Sequence, residues 1–160
     1  MPQPTLTIDG EVEHPTTISF SDLAAIAPEF QVPDVSVIDP KRKGGAVTLA
    51  GLLALVRPKA GAKYLTLHAL RDDFHASIPL DSVSDRAVVI YRLGTEPLPE
   101  SAGGPLRFFI PDFAACHTSE VDECANVKFV DRIELSTERG YDNRPHDAAE
   151  HAELHEREKS

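Results

Sequence analysis

Cys116, His117 and Cys124 are the residues of this chain whose types and closeness in sequence most directly invite metal chemistry. Thiolate and imidazole bind zinc or iron, and Glu120, Asp122 or Glu123 is near enough in sequence to add a fourth ligand. Their spacing, Cys-His and then a second Cys after six residues, matches no standard zinc signature. Three other readings therefore stay open: two unpaired buried thiols, a disulfide closing a small loop, or one redox or cofactor-facing thiol. His75 precedes Ala76-Ser77-Ile78-Pro79, and imidazole is the side chain best suited to exchange protons near neutral pH, although a strand-end histidine is the plainer reading. His68 falls in an alternating stretch and reads as structural. His151 and His155 are four residues apart, a metal-capable helical spacing, but nothing supplies a third ligand and they read as solvated.

These groups must be held by a frame of modest size. The chain has 160 residues, the length of one ordinary domain, and no apolar run long enough for a membrane helix. Acidic residues outnumber basic ones 26 to 16, so a polyanion such as nucleic acid or an anionic membrane is repelled. The start, residues 1–13, has neither the basic opening nor the apolar run of a secretory signal and reads as cytoplasmic.

Residues 5–8 alternate before Asp9-Gly10, giving a strand and a turn. Ser19 to Ser21 offer N-caps for a short helix at residues 23–26, closed by Pro28, and residues 32–38 read as a strand. Residues 39–45 form a basic loop, after which Thr48 caps a helix whose Leu49, Leu52, Leu53 and Val56 share one face up to Pro58. From residue 63 the period becomes two. Residues 64–70, 74–78, 87–93, 106–110 and 127–135 are short strands rich in β-branched and aromatic residues. The expected fold class is α+β, mixed β-sheets with short helices. Composition divides the chain into a domain at 1–136 and a charged, solvated tail at 137–160 with a helix near 146–158.

Ile90-Tyr91-Arg92-Leu93-Gly94-Thr95-Glu96-Pro97-Leu98-Pro99-Glu100, followed by Gly103-Gly104-Pro105-Leu106-Arg107-Phe108-Phe109-Ile110-Pro111, is a distinctive string. Leu6-Thr7-Ile8-Asp9-Gly10, Ser19-Phe20-Ser21-Asp22-Leu23, Val47-Thr48-Leu49-Ala50-Gly51-Leu52-Leu53, Ser77-Ile78-Pro79-Leu80 and the run from Asn126 to Leu135 follow in matching order. Over residues 5–135 the chain resembles the oxidoreductase molybdopterin-binding domain of the sulfite oxidase family. That resemblance implies an α+β fold, a phosphate-bearing pterin that holds molybdenum through its dithiolene, one cysteine thiolate on the metal, and oxygen-atom transfer. It further implies a cleft in which Arg107, Lys128, His75 and Ser77 contact the cofactor, with Asp72 and Asp73 beside them. Cationic side chains suit a phosphate because charge-assisted hydrogen bonds are the strong ones.

The chain departs from the family pattern at the metal. The family's cysteine corresponds to residues 34–38, here Asp34-Val35-Ser36-Val37-Ile38, which hold no thiol. Ser36 offers an oxygen there, a harder ligand than thiolate, although an ordinary strand serine is the plainer reading, so the expected state is a protein isolated without stoichiometric molybdenum. Ala102 replaces the family's histidine, and the chain has no tryptophan. Three functions follow: a small oxidoreductase binding molybdopterin or a similar small molecule, a non-catalytic binding module that keeps the fold without the metal site, and a scaffold whose acidic surface docks a basic protein partner.

Overall fold

The computed structural model describes residues 5–111 and 127–143. Two sheets carry the fold. The first has the order β2-β1-β10-β5-β6, with β1 (Thr5–Gly10), β2 (Thr16–Ser19), β5 (Tyr64–Ala69), β6 (Phe74–Pro79) and β10 (Arg132–Ser136). Its β1 and β10 are parallel neighbours, Thr7 opposite Arg132, while the other pairs are antiparallel. The second has β3 (Gln31–Val32), β4 (Gly45–Thr48), β7 (Val88–Leu93) and β8 (Glu96–Pro97) in that order, with β9 (Arg107–Phe109) also on β7. The α+β expectation holds.

One core serves both sheets. Leu6, Ile8, Leu65, Leu67, Ile78 and Ile133 from the first sheet are buried with Val47, Val89, Tyr91 and Phe108 from the second. On β7 the period of two sends Val89 and Tyr91 into this core, while Val88 and Ile90 enter a second cluster with Val35, Leu98 and Phe109. A strand buried on both faces reads as a continuous apolar run. In β5 the same alternation turns Thr66 and His68 away from Leu65 and Leu67, onto a polar outer face.

Helix α1 (Phe20–Ala24) starts three residues before the apolar run at 23–26, because Ser19 and Asp22 close a reciprocal capping box. Helix α2 (Leu49–Val56) has the expected Thr48 cap and buries Leu49, Leu52 and Val56. The expected strand at 32–38 stops at Val32. Pro33 cannot donate to a ladder, and Asp34 accepts from the Ser36 backbone to cap a 3-10 turn at Val35–Val37. The strand expected at 127–135 is confined to β10, because Phe129 takes a left-handed φ of 57° and its N–H donates to Gly103 O. Strands β2 and β4 and helix α3 (Leu80–Val83) complete the frame. Among the described residues no helix is long and apolar enough to cross a membrane.

Residues 139–143, placed by composition in the solvated tail, lie along the free edge of β6. Gly140 N–H donates to Ser77 Oγ, Asp142 accepts from Ser77 N–H, and Asn143 exchanges two hydrogen bonds with the His75 backbone. Asp142 has only 4% of its side chain exposed. Side-chain acceptors here satisfy an edge strand's backbone donors, a relation that hydropathy does not encode.

Candidate functional site

Arg107 begins β9, and the turn Gly103-Gly104-Pro105 before it sets where its side chain runs. Gly103 has a φ of 92°, and a Cβ there would stand 3.0 Å from Arg107 Cδ and 3.1 Å from Lys128 Cγ. The bare Cα thus lets Arg107 and Lys128 pass side by side. Phe129 N–H to Gly103 O, 2.8 Å, and Val130 N–H to Leu106 O, 3.0 Å, fasten the segment carrying Lys128 against this turn.

A third cation joins them. Arg42, from the basic loop, lays its guanidinium over the Phe109 ring at 5.1 Å and lies close enough to Arg107 for the like charges to repel. Burial first, and Arg42 second, push the Arg107 guanidinium down to about 10, which still leaves it charged at neutral pH. Its Nη1 donates to Ala102 O at 3.2 Å, but its Nε and that of Arg42 are buried without partners. Among the described residues no carboxylate forms an ion pair with Arg42, Arg107 or Lys128. Among the described residues, Arg42, Arg107 and Lys128 thus gather positive charge without a carboxylate partner, a chemistry that suits an anion.

Neighbouring groups are spoken for. Arg71 stacks on Phe129 at 4.2 Å and pairs with Glu100 at 3.1 Å. Ser36 Oγ donates to Asp34 Oδ1 at 2.6 Å, which with the Ser36 N–H holds the Asp34 carboxyl below its usual range. Beside it Val37 is 83% exposed, so the stretch expected to correspond to the family's metal ligand presents an apolar side chain to solvent.

The structure brings together Arg107 and Lys128 but sets His75 and Ser77 elsewhere, on β6 of the first sheet. Thr66 donates to Ser77 Oγ at 3.0 Å, and His75 joins His68 across β5 and β6, Nδ1 to Nδ1 at 2.7 Å. His68 Nε2 meets Glu134 at 3.0 Å and His75 Nε2 meets Asp73 at 2.9 Å. Cys116, His117 and Cys124 lie outside the described residues, as do His151 and His155. No group of three or more metal-capable side chains occurs among the described residues.

Sequence reasoning missed two participants. Arg42 was legible only as part of a basic loop. The His68–His75 contact had a signal, because the two residues flank a short hairpin connection symmetrically and so face each other once residues 64–70 and 74–78 pair.

The model of the oxidoreductase molybdopterin binding domain matches residues 43–143. The chain belongs to that family. The match contains Arg107 and Lys128, begins one residue after Arg42, and runs through the 139–143 strap. Among solved structures, the sulfane dehydrogenase SoxCD from Paracoccus pantotrophus is similar with a TM-score of 0.61 at 19% identity, over 85% of this chain. The chain spans 39% of that SoxCD chain, and at this identity the likeness is one of fold. No curated protein matches the chain in sequence.

Proposed function

We propose that this molybdopterin-binding-family domain binds a phosphate-bearing pterin, with Arg42, Arg107 and Lys128 holding the phosphate. The observation that carries this reading is the set of buried, unpartnered Arg42 and Arg107 Nε atoms beside Lys128. An anion there gives each orphaned donor an acceptor and offsets the burial of charge. Arg107 and Arg42 orient the phosphate through fixed planar donors, and exposed Lys128 closes over it as a point charge. When bound, such a cofactor supplies redox chemistry at a dithiolene-held metal.

A second reading, a binding module that keeps the anion site without the metal, draws on Ser36, whose hydroxyl is engaged by Asp34 where the family has its thiolate. Two measurements on the purified full chain decide. Extraction and fluorescence assay of oxidised pterin test the first: about one pterin per chain supports binding, and an extract without pterin from a protein that also binds no sulfate by calorimetry overturns it. Molybdenum content divides the two readings. About one metal per chain supports the oxidoreductase and directs the search for its thiolate to Cys116 and Cys124, the only cysteines present.

A further inference from the structure

The outer face of the first sheet carries a row of charges with alternating sign. Asp9 of β1 receives Arg132 Nε at 3.0 Å, and Arg132 Nη2 lies 3.6 Å from Glu134. Glu134 meets His68, His68 meets His75, and His75 meets Asp73 on the hairpin turn. Both imidazoles are 8% exposed, whereas Asp73 at one end is 84% exposed.

Each of the three contacts from Glu134 to Asp73 has room for one proton, and with both carboxylates ionised all three are hydrogen bonds when the two rings hold three protons on four nitrogens. A neutral pair, with two, would leave one of the three contacts without a proton: a lone pair facing a carboxylate at 2.9 or 3.0 Å, or two lone pairs facing each other at 2.7 Å. The ring centroids are 4.9 Å apart, nearly the Nδ1 separation plus the two centroid-to-nitrogen radii, so the Nδ1 atoms meet head to head. Head to head at 2.7 Å, the two Nδ1 atoms can share one proton.

A fourth proton reverses the contact, because two N–H groups then face each other at the same separation. His68 is fixed between β10 and β6, so His75 on the edge strand is the ring that yields. Against His75 lie Tyr141, edge-on at 4.9 Å, and Asn143, which grips its backbone and Asp73 O. We propose that the His68–His75 pair is a proton latch: as a monocation it holds residues 139–143 on β6, and a fourth proton taken from solvent on mild acidification releases them. Release uncovers the backbone N–H and C=O of His75 and the N–H of Ser77, an edge on which another strand can pair. The latch does not depend on the anion-binding reading.

Other charged groups face the pair: Glu134 and Arg132 from β10, Asp73 from the turn, and Asp142 with its partner Arg139 from the strap. Asp142 is also a carboxylate, so the test must separate its part from that of the histidines. Amide hydrogen exchange on the full chain, corrected for intrinsic rates, is followed at His75, Ser77, Gly140 and Asn143 between about pH 7 and about pH 5. The expected result is a loss of protection of about tenfold or more at these four amides, with Leu65 and Leu67 unaffected. In His68→Asn a carboxamide oxygen accepts from His75 Nδ1 and takes up no proton, so protection persists at the lower pH while Asp142 and Arg139 are unchanged. Undiminished protection in the wild type, equal loss in the two proteins, or loss spreading to Leu65 and Leu67 would overturn the latch. Should His68→Asn fail to fold, side-chain ¹⁵N spectra of the wild type near neutral pH decide: three protonated nitrogens in the pair support it, and two sink it.

Discussion

Arg107 and Lys128 pass each other across the bare Cα of Gly103, with Arg107 Cδ and Lys128 Cγ at 3.0 and 3.1 Å from the point where a Cβ would sit. Two like charges are thereby held on one side of a turn, with no carboxylate paired to either among the described residues. Packing, not pairing, keeps them together, since Phe129 N–H and Val130 N–H tie the lysine's segment to the residues around the arginine. Such an arrangement stabilises little by itself and becomes favourable when an anion arrives.

Gly103→Ala should disturb both the backbone and the site. A left-handed φ costs an alanine roughly 1–2 kcal/mol, and its methyl group displaces one of the two cations. Urea unfolding should show the lower stability and calorimetry a weaker sulfate affinity. Unchanged affinity would mean that the glycine does not position the pair.

Removing each cation should have a different signature. Lys128→Met keeps the stem of an exposed residue, so the fold stays intact while phosphate or sulfate binding weakens by about 1.5–3 kcal/mol. Arg107→Met removes a half-buried charge with no counter-ion among the described residues, so the ligand-free protein should melt at the same temperature or higher, and added sulfate, expected to raise the melting point of the wild type, should no longer raise that of the variant. A lower melting point for ligand-free Arg107→Met would show that the guanidinium supports the fold.

The pH dependence of anion binding follows from Arg107. Burial lowers it to about 10, and a bound anion raises it again, so binding draws in a proton only as the pH nears that value. Sulfate keeps a fixed charge and serves as the probe. Its affinity in Lys128→Met should be flat between about pH 6 and about pH 9 and fall above that range. A fall already present between about pH 7 and about pH 8 would require another titrating group at the site.

What was legible in the sequence was what period and punctuation determine. Leu49, Leu52 and Val56 at helical spacing behind Thr48 gave α2, and alternation located β5, β6 and β7. Residues 32–38 misled because Val32, Val35, Val37 and Ile38 look like a strand, while Pro33 and the Asp34 cap act through single hydrogen bonds that override propensity. Arg107 and Lys128 were singled out as candidates through resemblance, and Arg42 was not, because only the folded loop brings it over Phe109. His75 and Ser77 were expected at the cofactor. Their partners His68, Thr66, Asp142 and Asn143 come from cross-strand register and a strap about 65 residues away, separations that no local pattern reports.

The strap offers the last prediction. Ser77 N–H on the edge of β6 has Asp142 Oδ2 at 2.9 Å, and Gly140 N–H reaches Ser77 Oγ at 2.8 Å, so residues 139–143 act as a substitute neighbour for an edge strand. Asp142→Ala leaves the Ser77 donor without its carboxylate acceptor and releases Arg139, at a cost of about 1–3 kcal/mol in urea unfolding. Gly140→Ala should act through sterics instead, since a Cβ there would stand 2.4 Å from Thr66 Oγ1 and force the strap outward. Ending the chain after Ser136 should therefore lower stability more than ending it after Asn143, and should promote self-association through the bared edge, read as concentration-dependent sedimentation. Equal stability for the two truncated chains would mean that the hydrogen bonds of 139–143 only replace equivalent bonds to water, and that β6 tolerates an open edge.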